Sequence, residues 1–303
     1  MQEIAKELVT IRDLIRWGVS SFSKAELCFA QGMPTAIDEA VYLCLSALNL
    51  PPDFSEQYFD CALTLEERLA VLENYQQRIS KKPSAYITNE AWFAGLSFYV
   101  DERVLIPRSP LAEVIQNQFS PWVNAEAVNS ILDLCTGSGC IAIACAYAFD
   151  DVEVVASDIS SEALEVAAIN RHQHGLDESL QLVRSNLLDG LSAQRFDIIV
   201  SNPPYVSEAE VKALPEEFHE EPSLGLLAGE SGLDMVIPIL QNARKHLSDN
   251  GILVVEVGYT EEVLQQHFPD VPFFWLDFEH GGEGVFLLTA SQLDEYQRIF
   301  DQG

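Results

Sequence analysis

From residue 130 to residue 257, short runs of β-forming apolar residues alternate with segments of helical pattern. Residues 131–134, 152–157, 180–184, 196–201 and 252–257 read as strands. Residues 141–148, 161–172 and 233–247 read as helices, the last with Pro238 as a kink. A strand that leads into a helix cannot fold straight back as a hairpin. Successive strands then run parallel, and a parallel sheet needs helices on its faces. The tail breaks the pattern. Residues 273–276 and 285–288 are two strands joined through Gly281-Gly282-Glu283-Gly284, which predicts an antiparallel edge. The expected fold is therefore α/β, a mostly parallel sheet with an antiparallel edge strand.

The first 85 residues are different. Ile11, Leu14, Ile15 and Val19 recur at helical spacing, and Thr35 with Asp38 and Thr64 with Glu67 have the form of helix N-caps. With 48% hydrophobic residues in 303, the chain can fill two cores. Tyr86-Ile87 and Phe98-Tyr99-Val100, with Gly95 between them, read as a β-hairpin. The expected organisation is a helical domain over 1–85, a hairpin linker over 86–106 and an α/β domain over 107–303. The helical domain reads equally as a bland accessory unit or as a substrate-docking unit.

Charge divides the chain in the same way. Residues 1–85 carry 12 acidic and 8 basic groups, and the remainder carries 35 and 9. A net charge of -30 repels phosphate backbones, so stable nucleic-acid binding is not expected and a basic protein partner fits better. No apolar run is long enough to span a membrane. The amphipathic N-terminal stretch has no signal-peptide core, and the six cysteines form no CxxC pair. Both point to a cytoplasmic protein with reduced, packed cysteines.

Two loops carry chemistry. In the first, Asp133-Leu134-Cys135-Thr136-Gly137-Ser138-Gly139 joins a strand to a helix. Its glycines allow a tight turn and a close backbone approach to a ligand. Asp158 follows the next strand, where a carboxylate can accept hydrogen bonds from ribose hydroxyls. Asp133 either caps the turn or favours a cofactor with a cationic methionine end, since it would repel a pyrophosphate.

The second loop, Asn202-Pro203-Pro204-Tyr205, ends the strand at 196–201. An amide or aromatic NH₂ is planar and a poor nucleophile, and it has two hydrogens to hold. The Asn202 side-chain oxygen and the Pro203 carbonyl can accept both and orient the lone pair. The prolines remove competing donors and stiffen the loop. The Tyr205 ring can lie on the planar group. With a sulfonium as leaving group no strong base is needed, and the sequence shows no clear metal-ligand or nucleophile–base constellation.

These loops resemble those of the class I S-adenosylmethionine-dependent methyltransferases, and over nearly the whole chain the sequence is similar to the HemK family of protein glutamine methyltransferases. The resemblance implies a Rossmann-like catalytic domain and S-adenosyl-L-methionine as cofactor. It implies cofactor contacts by Cys135, Thr136, Gly137, Ser138, Gly139, Asp158, Asn186, Leu187 and Asn202, with Asp133 beside them, and catalysis by Asn202, Pro203, Pro204 and Tyr205. Cys135 stands where the family usually has glycine and could narrow the methionine channel. Asn186 stands where it usually has an acid. Arg108-Ser109-Pro110 and the tail are similar to the branch whose substrate is a glutamine of large-subunit ribosomal protein L-three, which would make that basic protein the partner. Methylation of release factors, methylation of nucleic-acid adenines and a non-catalytic role in ribosome assembly are the alternatives. Beyond Tyr205, eight acids (Glu208, Glu210, Glu216, Glu217, Glu220, Glu221, Glu230 and Asp234) accompany the single Lys212. The run is either a solvated face or a docking rim for a basic substrate.

Overall fold

A computed structural model of the protein describes residues 1–191, 194–279 and 281–303. Its chain divides into two units, Met1–Ala91 with Pro215–Glu220, and Trp92–Leu214 with Glu221–Gly303.

The first unit is helical: α1 (Gln2–Glu7), α2 (Ile11–Lys24), α3 (Ala36–Ala47), α4 (Leu65–Ile79) and α5 (Ser84–Thr88). Thr10 with Asp13 and Thr64 with Glu67 form complete capping boxes, and Thr35 caps α3 by accepting from the Asp38 N–H. Ile11, Leu14, Ile15, Gly18 and Phe22 form the buried stripe of α2, which packs on α3 and α4. A Cβ at Gly18 would lie 2.7 Å from the Tyr75 ring, so this approach of α2 to α4 requires glycine. Tyr86 and Ile87, expected in the hairpin, belong instead to α5. Pro83 stands at its N-cap, where a missing N–H costs nothing. The hairpin itself is short: β1 (Ala91–Phe93) and β2 (Leu96–Phe98) pair across Ala94-Gly95, both left-handed at φ 50° and 82°.

The second unit continues with α6 (Leu111–Gln116), β3 (Ser130–Leu134), α7 (Cys140–Ala148), β4 (Glu153–Asp158), α8 (Ser161–Gln173), β5 (Leu180–Arg184) and β6 (Phe196–Ser201). After these come α9 (Glu208–Val211), α10 (Val236–Asn242), β7 (Leu247–Glu256), α11 (Glu261–His267), β8 (Phe274–Trp275), β9 (Val285–Thr289) and α12 (Ala290–Phe300). The larger sheet has the order β5-β4-β3-β6-β7-β9-β8. The pairs among β3, β4, β5, β6 and β7 are parallel, and the β7/β9 and β8/β9 pairs are antiparallel. This is the mostly parallel sheet with the antiparallel edge that the sequence implied.

Strand alternation sorts the core into two layers. Ile131, Ile198, Val200 and Val254 pack with residues of α6 and α7. Leu132, Leu134, Ile199 and Leu253 pack with residues of α10, α11 and α12. Each fully buried side chain of this kind contributes about 1.5–3 kcal/mol. Pro238 does not kink a long helix. It lies in the first turn of the short α10, where backbone N–H groups have no partner within the helix. Strand order reverses at β3, with β4 on one side and β6 on the other. The crevice beyond the carboxyl ends of these three strands is where such a sheet binds ligands.

Candidate active site

The loop from β3 to α7 turns on three left-handed residues, Cys135 (φ 60°), Gly137 (φ 55°) and Gly139 (φ 82°). A Cβ at Gly139 would meet Ala167 of α8 at 3.2 Å. Asp133 is wholly buried. Its Oδ2 accepts from the Thr136 hydroxyl at 2.5 Å and from the Ala142 N–H at 3.1 Å, which staples the loop to the first turn of α7. Among the described residues, its Oδ1 has no hydrogen-bond partner. Burial pushes the Asp133 carboxyl up to about 7, only partly offset by those two bonds. Asp158, at the end of β4, accepts from the Gly137 N–H and from the Ser160 N–H, each at 2.9 Å. Burial raises its pKa as well, with the backbone bonds opposing.

Past these strand ends lies a cavity of about 390 Å³. Of the residues expected at a cofactor, Cys135, Thr136, Gly137, Ser138, Asp158, Asn186, Leu187 and Asn202 line it, and Pro204 joins them. Asp133 and Gly139 do not. They shape the loop from behind. Asn202 also lines a smaller adjoining cavity of about 30 Å³, together with Pro203, Tyr205, Arg108 and Glu256. The two cavities therefore meet at Asn202. The Ser201 hydroxyl donates to the Leu134 carbonyl at 2.8 Å, tying the tip of β6 to the tip of β3. Among the described residues, no His, Cys, Asp or Glu cluster has metal-binding form.

Several residues that hold this arrangement carry no sequence signal of that role. Asn170 of α8 is wholly buried. It donates to the Ser138 carbonyl at 2.8 Å and to the Tyr99 carbonyl at 3.0 Å, and accepts the Tyr99 N–H at 2.7 Å. Glu221 accepts the Ile106 N–H at 3.1 Å and binds the Arg108 guanidinium through both oxygens, at 2.8 and 3.0 Å. Glu256 binds Tyr205 and Ser109.

The acidic run after Tyr205 is thus not a uniform solvated face or rim. Glu217 and Glu221 are 1% and 4% exposed and work as structural ion-pair partners. Glu208, Glu210, Glu216, Glu220, Glu230 and Asp234 are exposed. The six cysteines are all free.

The lining suits a cofactor without a pyrophosphate better than a dinucleotide. Asp158 offers a carboxylate. The cavity's two arginines are already paired, Arg103 with Asp101 and Glu165, and Arg108 with Glu221. They leave little positive charge for a pyrophosphate.

Comparison with known proteins agrees. A family model described as the methyltransferase small domain matches residues 117–226. The catalytic domain of hMettl16, solved in complex with MAT2A 3'UTR hairpin 6, superposes with a TM-score of 0.50 at 17% identity, covering 74% of this chain and 80% of that one. The family match and the sheet together mark a class I methyltransferase. Two curated proteins are more similar still. The ribosomal protein uL3 glutamine methyltransferase of Francisella tularensis subsp. tularensis is 46% identical over 99% of this chain and 96% of its own length. That of Neisseria gonorrhoeae is 46% identical over 96% and 98%. The chain belongs to the family of ribosomal protein uL3 glutamine methyltransferases.

Proposed function

We propose that the chain transfers a methyl group from S-adenosyl-L-methionine to the side-chain amide nitrogen of a glutamine in ribosomal protein uL3. The observation that carries this reading is the position of Asn202, at the tip of β6 and at the junction of the two cavities. The larger cavity is sized for a nucleoside cofactor, and the substrate amide approaches at the junction. The Asn202 side-chain oxygen accepts one amide hydrogen and the Pro203 carbonyl the other, so the nitrogen lone pair is aimed rather than delocalised. Pro203 and Pro204 present no N–H to compete. The Tyr205 ring flanks the amide plane. Asp158 would hold the ribose, Asn186 and Leu187 the adenine, and the loop from Cys135 to Gly139 the methionine end. S-adenosyl-L-methionine supplies an electrophilic methyl on a sulfonium and keeps the electron pair of the broken C–S bond. The new N–C bond forms as the nitrogen gives up a proton to solvent.

The exposed acids Glu208, Glu210, Glu230 and Asp234 suit a basic ribosomal protein and would speed encounter at low salt. The test is incubation of the purified protein with labelled cofactor and, separately, uL3, a release factor and duplex DNA. Label should enter uL3, on glutamine. Asn202→Ala should lower turnover by about 10²–10³-fold while cofactor binding is largely kept. Label in the release factor or the DNA but not in uL3 overturns the substrate assignment.

A further inference from the structure

Tyr205 is fixed on three sides. Its hydroxyl donates to Oε1 of Glu256 at 3.1 Å. Its ring lies against Gly258, where an added Cβ would come within 2.6 Å of Cε2. Its carbonyl passes Gly232, where an added Cβ would sit 2.4 Å away. Glu256 is the last residue of β7, beside the strand that delivers Asn202, and is 4% exposed. Its Oε2 accepts from the Ser109 hydroxyl, and Ser109 Oγ in turn accepts the Leu111 N–H at 3.1 Å, at the start of α6. Residues 106–109 also wall the large cavity. One buried carboxyl thus joins the reaction loop to a wall of the cavity.

Building on the function proposed above, we infer that Glu256 is a positioning residue for methyl transfer: in its carboxylate form it accepts from Tyr205 and Ser109 at once and locks the Tyr205 ring beside the junction where Asn202 lies. A protonated Glu256 must itself donate one hydrogen. One of the two hydroxyls then has to turn away, and the lock is half released.

Among the described residues, few groups act on this carboxyl. Ser109 and Arg108 face it from the segment before α6, Arg108 being paired with Glu221. Tyr205 faces it from the reaction loop, and Tyr259, past the end of β7, acts on Tyr205. Burial pushes Glu256 up to about 7, with the Ser109 and Tyr205 bonds and Arg108 pulling the other way. Burial first, and Glu256 second, keep the Tyr205 phenol far above its ordinary value, so it stays a donor throughout. Turnover then falls as pH drops through about 7, while cofactor affinity does not follow.

The experiment uses the full chain, labelled S-adenosyl-L-methionine and purified uL3, with kcat, KM and cofactor Kd measured from about pH 6 to about pH 9. The wild type should show an acidic limb in kcat. Glu256→Gln, which has the same shape but does not titrate, should lower kcat by about tenfold, leave KM and Kd within about twofold and abolish the limb. Tyr205→Phe keeps the ring and removes the hydroxyl. It should abolish the same limb, and it decides the matter if Glu256→Gln does not fold. A Glu256→Gln or Tyr205→Phe enzyme that keeps the wild-type limb overturns the inference. If the wild type methylates another protein and not uL3, the substrate proposal fails, and the same comparison on that protein still tests Glu256.

Discussion

Arg78 in the helical unit and Asp133 in the catalytic unit are both removed from water, at 1% and 0% exposure, yet their surroundings are opposite. Arg78 Nε donates to Glu39 at 2.9 Å, and its Nη1 lies 3.5 Å from Glu217. Glu217 also takes the Cys28 N–H at 2.8 Å, across 189 residues of sequence, and lies 3.5 Å from Lys81. Burial opposes the charge on Glu217, but the backbone donors with Lys81 and Arg78 outweigh it and hold the carboxyl below its ordinary range. Among the described residues, Asp133 and Glu256 have only hydroxyls and a backbone N–H as hydrogen-bond partners, and burial lifts both to about 7. The helical unit therefore gathers its buried charges around one guanidinium, although burial still lifts Glu39 above its ordinary range. The catalytic unit pairs buried Glu221 with Arg108 but leaves two other buried carboxyls, Asp133 and Glu256, close to neutrality near its cavity, which is where perturbed groups gather when a site needs them.

Removing the shared guanidinium should cost the most. Arg78→Met leaves Glu39 and Glu217 buried without their guanidinium, and should cost about 3–5 kcal/mol, read as a lower denaturant midpoint. The loss should shrink on acidification, because the stranded carboxyls are then neutralised. A cost below about 1 kcal/mol at neutral pH would mean that the cluster does not hold the helical unit together.

Next comes the unpaired side. Asp133 has its folded pKa raised, from 3.8 to about 7. The folded state therefore binds a proton that the unfolded state has released, and stability falls as pH rises from about 4 to about 7, then levels off. Asp133→Asn removes that titration. Its oxygen can keep the Thr136 and Ala142 bonds, while its NH₂ replaces the unpartnered Oδ1. The variant should be more stable than wild type at pH 8 by on the order of 2 kcal/mol, with the advantage gone near pH 4. Parallel melting curves across that range would show that the burial of Asp133 carries no such cost. Weaker cofactor binding by the variant, at unchanged stability, would restore the alternative in which this carboxylate serves the cationic end of the ligand.

The sheet could be read from the sequence because most of its parallel strands are separated by helices, an alternation that local pattern reports directly, and the capping box of Thr64 and Glu67 is visible for the same local reason. Tyr86 and Ile87 went the other way. Their β-propensity is real, but Tyr86 is buried in α5 behind Pro83, and packing outweighs a preference worth a fraction of a kcal/mol. At the site, residue types that chemistry requires were legible, such as Asn202 and Asp158. Supports that act at long range were not. Nothing near Glu217 in sequence points to Cys28, nothing near Glu221 points to Ile106, 115 residues away, and Glu256 reads as one more residue in an apolar strand. A run of acids looks the same whether its members face water or a buried arginine.

The two units also differ in how they use left-handed backbone, at a lower cost. In the helical unit, Glu26, Asn49 and Lys81 are left-handed, but each lies just past a helix end, where that conformation closes the helix. Cys135 has φ 60° inside the cofactor loop, next to the buried carboxyl of Asp133, and caps no helix. At an ordinary position Ala is more stable than Gly by about 0.4–1 kcal/mol, because glycine gains more freedom on unfolding. At a left-handed position the Cβ costs about 1–2 kcal/mol, which reverses the order. Cys135→Gly should accordingly be at least as stable as wild type, and more stable than Cys135→Ala by about 1 kcal/mol, in paired denaturant melts. If Ala proves the more stable of the two, the loop relaxes away from the left-handed conformation at this residue, and the strain belongs to neither unit.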